Sequence, residues 1–278
     1  MRRFALLAFI LFAVLQLPFR SFAQSSNTGT SQALQDVGIE EKLGDIIPLD
    51  AKFSTVEGDS IRLGDLLEEG KPVILNPLYY ECPMLCGLVV DGVIDVVDEL
   101  AWKPGKDYLV ISFSIDPLED HNMAKEYRSK YINKLTTTNA EEGWYFLTGK
   151  QPQIDKVIDA VGFKYNEVQG TGEYAHSAAI IMLSPEGKIT RYLYGIKYNE
   201  FDTRNALFES ADGKIGSTVE KILMYCYQYD PDSNSYVPVA MNIMKIGGLA
   251  TLIILGIFLT LFWVRERRKK QSQNFDYN

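Results

Sequence analysis

Of the 278 residues, the stretch between the apolar segments at the two ends is about 220 long, enough for one well-packed domain and too short for two ordinary ones. The net charge of −8 understates its acidity: setting aside Arg2, Arg3 and Arg20 and the net +3 after residue 264 leaves −14 in between. That balance argues against nucleic acid as a partner and suits a cationic client or a metal carrier, while three cysteines exclude a disulfide-scaffolded fold.

The chain opens with Arg2 and Arg3, an apolar run over 4–15, and Ser21-Phe22-Ala23 as a peptidase site, which predicts a signal peptide over 1–23. A run of about 12 apolar residues is too short to span a bilayer, which needs about 20. Residues 24–42 read as a flexible lead-in, rich in Ser and Thr. Two short strands around Glu57-Gly58-Asp59 predict a hairpin, and Val73-Ile74-Leu75-Asn76 predicts a strand buried on both faces. Helical spacing of Leu85, Leu88, Val89, Val93, Val96, Val97 and Leu100 follows. A second buried strand over 108–115 ends at Asp116-Pro117, and a helix is expected over 122–132. A third strand at Trp144-Tyr145-Phe146-Leu147 precedes a helix over 153–161. Strands over 178–183 and 188–193 flank Ser184-Pro185-Glu186-Gly187. This alternation predicts an α/β fold with a mixed central sheet, placed at 43–200, and an aromatic extension over 201–242.

The far end differs in kind. Residues 246–264 carry no charge, and Arg265, Arg267, Arg268, Lys269 and Lys270 follow, against Lys245 alone on the other flank. A transmembrane helix is therefore expected over 243–264 with a cytoplasmic tail over 265–278. The expected location is the cytoplasmic (inner) membrane, single-pass, with the main domain extracytoplasmic or periplasmic.

Chemistry concentrates in Glu81-Cys82-Pro83-Met84-Leu85-Cys86, between a strand and a helix. Pro83 suits a first helical position, which would put Cys82 and Cys86 on one face, about 6 Å apart at Cα and within disulfide range. A helix N-terminus also favours thiolates. Redox exchange and metal capture both use thiolates, so this geometry leaves the two readings open. Two soft thiolates suit Cu(I), and structural zinc sites normally take four protein ligands. The two histidines are His121, expected at a helix surface, and His176, in a loop feeding a central strand. Cys226, in an apolar setting, reads as a buried thiol, Met84 as a packing residue, and Glu81 and Asp116 as groups that could tune the pair.

The run Cys82-Pro83-x-x-Cys86, then Ser114-Ile115-Asp116-Pro117, then Tyr174-x-His176-Ser177, resembles the Sco/SenC family of copper-binding proteins over roughly residues 43–198. The resemblance implies a thioredoxin-like fold, with copper as Cu(I), and also as Cu(II), held by Cys82, Cys86 and His176. The same cysteines can close as a disulfide. It further implies a role in assembling the copper centre of a cytochrome oxidase, with the oxidase copper subunit or another copper protein, and a thiol reductant, as partners. This chain departs from the family in Gly87 after the second cysteine, where Pro is common, in Asp120-His121 closing the Asp-Pro motif, and in an anchor at the C-terminus. The alternative reading is an enzyme, a membrane-tethered thiol–disulfide oxidoreductase with Cys82 and Cys86 as its redox pair. Such reductases place a proline opposite the cysteines, where this chain has Tyr174-Ala175-His176-Ser177.

Overall fold

The computed structural model describes residues 37–67, 70–136, 140–168, 170–212, 227–230, 233 and 235–275. Strand β1 (Gly38–Ile39) precedes a hairpin of β2 (Lys52–Ser54) and β3 (Ser60–Arg62), and a short α1 (Leu63–Leu67) leads toward β4 (Val73–Leu78). Helix α2 (Leu85–Glu99) buries Val89, Val90, Val93, Ile94, Val96 and Val97 on one face, at the spacing of an amphipathic helix. Gly92 lies within that face because a Cβ there would stand 2.2 Å from the Ile196 carbonyl oxygen. Strand β5 (Leu109–Ser114) is followed by α3 (His121–Ile132), whose first turn is capped by the Asp120 carboxylate accepting from the Asn122 and Met123 amides. The chain continues through β6 (Trp144–Gly149), α4 (Gln151–Ala160), β7 (Phe163–Val168), β8 (Glu173–His176), β9 (Ala179–Leu183), β10 (Ile189–Tyr194) and α5 (Glu200–Ser210).

The main sheet runs β10-β9-β4-β5-β6-β2-β3. Strands β4, β5 and β6 are parallel, β9 is antiparallel to β4, and every residue of β4 and β5 is buried. Parallel strands of this kind need cover on both faces, which is why they read in the sequence as continuous apolar runs. The result is the expected thioredoxin-like arrangement around a central mixed sheet. A second sheet, β1-β7-β8, is antiparallel and was not legible in the sequence. It moves His176 from the expected loop into a strand opposite Tyr165.

Beyond α5 the chain forms a hairpin of β11 (Tyr227–Asp230) and β12 (Ser235–Pro238), then α6 (Ala240–Phe275). The hairpin is fastened to the domain. The Arg191 guanidinium lies 4.1 Å from the Tyr229 ring centroid and pairs with Glu209 at 2.6 Å. Glu209 also accepts from the Tyr236 hydroxyl at 2.6 Å, and Asp202 accepts from the Tyr236 amide at 3.0 Å. One residue, Val239, separates β12 from α6, whose segment Ala240–Arg265 is long and apolar enough to cross a membrane, with a mean hydropathy of 2.3 over its most apolar 18 residues. The expected signal peptide and Cys226 lie outside the described residues.

Arg191 sits at the centre of this fastening, so Arg191→Ala is expected to weaken hairpin docking by about 1–2 kcal/mol. Hydrogen exchange on the full chain would show it as faster exchange of the Tyr229 and Tyr236 amides, with Val110 and Ile111 in the sheet unchanged.

Candidate metal centre

The β4–β5 register aligns Leu78 with Ser114, and the Ile115 amide donates to the Leu78 carbonyl at 2.7 Å. The two loops that leave these strands therefore start side by side. From β4 the chain passes buried Tyr79 and Tyr80 to exposed Glu81, then half-buried Cys82. Helix α2 begins at Leu85, with Met84 as the residue before it, later than the Pro83 start expected from sequence. Cys82 thus approaches from the turn ahead of the helix, and Cys86, 0% exposed, comes from its first turn.

The polar contacts follow from that placement. The Cys86 amide donates to Cys82 Sγ at 3.3 Å, so the sulfur occupies one of the free donors of a helix start. The Tyr79 amide donates to Cys86 Sγ at 3.4 Å. From the second sheet, His176 brings Nε2 to 3.3 Å from Cys86 Sγ. Its Nδ1 is 2.9 Å from the Ser177 carbonyl oxygen. A carbonyl can only accept, so Nδ1 carries the proton and Nε2 presents its lone pair to the sulfur pair. Rings of Tyr79 and Phe163 stand 5.9 and 5.8 Å from the imidazole and hold its plane. The donor atoms of Cys82, Cys86 and His176 all lie within 4.8 Å of one another.

The two thiols are unequal. A hydrogen bond from the Cys86 thiol, joined by the one from its amide, holds the Cys82 thiol far below the ordinary thiol range, against the opposing effect of partial burial. Burial, reinforced by the adjacent Cys82, pushes Cys86 up. The reduced pair therefore has its negative charge on the more accessible sulfur.

The other residues singled out by sequence fall elsewhere. His121 starts α3 with its ring beside Gly58, in the β2–β3 turn. Asp116 Oδ1 accepts the Leu118 amide and so shapes its own turn. Met84 is 70% exposed, which rules out the packing role expected for it. Sequence reasoning missed Glu119, which is 4% exposed and whose carboxylate accepts from the Tyr80 and Glu81 amides, both at 2.8 Å, and from the Ser114 hydroxyl at 2.5 Å. Burial raises its pKa above the usual carboxylate range even with those three donors. In the sequence it reads as one more acid in a polar turn.

The SCO1/SenC family model matches residues 46–206, more than half of the chain. The chain belongs to the SCO1/SenC family. Two solved Aquifex aeolicus VF5 proteins each share 30% identity with it. They align over 62% of this chain and 95% or 100% of their own lengths, at TM-scores of 0.55 and 0.52. A copper-bound ScoI from Bradyrhizobium japonicum aligns at 19% identity over 62% of this chain and 99% of its own, at a TM-score of 0.47. Among curated proteins no match was found. One departure from the SCO1/SenC pattern has a structural counterpart: a Cβ at Gly87 would stand 2.6 Å from the Tyr131 hydroxyl, so a larger residue there requires the Tyr131 side chain to shift.

The inequality of the thiols is open to measurement. An ordinary thiol titrates near 8.5 and is almost wholly protonated at pH 6. Because the Cys82 pKa is lowered, its thiolate persists there, and brief iodoacetamide treatment of the reduced protein at pH 6 should label Cys82 well ahead of Cys86. Cys86→Ala removes the thiol donor while keeping the amide one, raises the Cys82 pKa and should slow that labelling several-fold, as read by peptide mass spectrometry.

Proposed function

We propose that this SCO1/SenC protein carries Cu(I) on Cys82, Cys86 and His176 and delivers it to the copper centre of a respiratory cytochrome oxidase. The observation that carries the reading is the position of His176 Nε2, 3.3 Å from Cys86 Sγ in the same cluster as Cys82. A dithiol reductant works with its two sulfurs alone. Two thiolates and one imidazole are a soft donor set suited to Cu(I), and the Ser177 carbonyl fixes the imidazole tautomer from behind as second-sphere partners of metal-binding histidines do. Cu(II), with its stronger demand for nitrogen and oxygen donors, is held less well by such a set.

Half-exposed Cys82 is the ligand an incoming donor reaches first, and buried Cys86 the one that holds the metal until exchange is complete. The pair must be reduced before it can be loaded, so a thiol reductant is a partner in this scheme. The rest of the chain fits a membrane-tethered carrier. Residues 1–23 direct export, the family domain stands outside the cytoplasm, α6 spans the inner membrane at 243–264, and 265–278 form the cytoplasmic tail. Support for this orientation comes from the apolar length of α6 and the cluster of cations that follows it.

The test is competition for Cu(I) between the reduced, oxygen-free protein and a chelator. One copper per chain is expected. His176→Ala should weaken binding by more than the roughly 10–100-fold typical of losing an outer partner of a metal ligand. Affinity that ignores His176 would return the chain to the thiol–disulfide oxidoreductase reading, which needs Cys82 and Cys86 only.

A further inference from the structure

We infer that Glu119 is a positioning residue for the Cys82 loop, a buried carboxylate that sets the geometry of the sulfur pair without touching it; the inference rests on the copper reading above. Both oxygens are used. Oε2 accepts from the Tyr80 amide and the Ser114 hydroxyl, and Oε1 from the Glu81 amide. Tyr80 and Glu81 are the two residues immediately before Cys82. Two successive amides bound to one carboxylate fix the orientation of the peptide that enters the cysteine turn. Ser114 is the last residue of β5, so the carboxylate is in turn tied to a strand end.

The rest of the loop is also held from its flanks. The Tyr80 hydroxyl donates to the Leu147 carbonyl at 2.7 Å, and its ring packs 5.0 Å from Tyr127. Those contacts orient the Tyr80 side chain, while Glu119 holds the backbone. A carboxylate suits this place because both of its oxygens accept. A glutamine has one accepting oxygen, and its NH₂ would face an N–H. With the clamp lost, Cys82 would have to be ordered by the metal itself, and the ordering would come out of the binding free energy.

Three variants of the full chain in detergent test this. Glu119→Gln and Glu119→Ala are expected to bind Cu(I) about tenfold more weakly or worse. In the metal-free protein their Tyr80 and Glu81 amides should exchange faster than in wild type. Ser114→Ala removes a partner of the same carboxylate but leaves both loop amides bound; it is expected to lower Tm while keeping Cu(I) affinity within about twofold. Wild-type affinity in Glu119→Gln, or an equal loss in Ser114→Ala, would overturn the inference. If the Glu119 variants do not fold, amide exchange in the metal-free wild type still decides: protected Tyr80 and Glu81 amides support the clamp, and open-loop exchange refutes it. Because exchange is read without copper, failure of the copper reading and failure of the clamp are distinguishable.

Discussion

The parallel pairing of β4 with β5 is the constraint on which the site depends. It fixes Leu78 beside Ser114, so the cysteine turn and the Asp-Pro turn are obliged to leave the sheet as neighbours. Everything local to the sulfurs follows from that adjacency. The Asp-Pro turn is close enough for Glu119 to hold the backbone entering Cys82, and α2 can start where its first turn brings Cys86 under that residue. The strands are buried along their whole length, so this arrangement cannot slip without exposing the apolar centre of the domain.

Against this fixed pair the third donor arrives from a separate unit. Strands β7 and β8 form their own antiparallel sheet with β1, and His176 is the last residue of β8, three before β9 enters the main sheet. The imidazole is thus tied at one side to the core and at the other to a small sheet with fewer neighbours. Division of labour among the donors matches their burial: Cys86 is enclosed, while Cys82 and His176 are half-exposed. A proposed carrier needs one donor that retains its cargo and others that a recipient can reach. This set provides both.

Much of this was legible in the sequence, for identifiable reasons. Strands β4 and β5 announce themselves as unbroken apolar runs because both faces are covered, and α2 by the spacing of its valines. The Cys82-Pro83-x-x-Cys86 spacing marked the sulfur pair, and the resemblance carried by the Asp116-Pro117 and Tyr174-x-His176-Ser177 motifs added His176, giving the three residues that the fold brings together. The second sheet was not legible because β1 has two residues and β8 four, and their partners are set by tertiary contact rather than by local pattern. Glu119 escaped for a related reason. A buried acid is recognised by the donors around it, and those donors are backbone amides 38 and 39 residues away, which leave no trace in side-chain pattern. Met84 was misplaced because the helix begins two residues later than Pro83 suggested, which leaves its side chain in solvent.

The most direct measurement of the central claim is X-ray absorption at the copper edge of the full chain loaded with one equivalent of Cu(I). The account predicts a three-coordinate ion with two sulfur neighbours and one imidazole nitrogen, and loss of the imidazole scattering in His176→Ala. A two-coordinate sulfur-only ion, or a third sulfur in place of the imidazole, would contradict it.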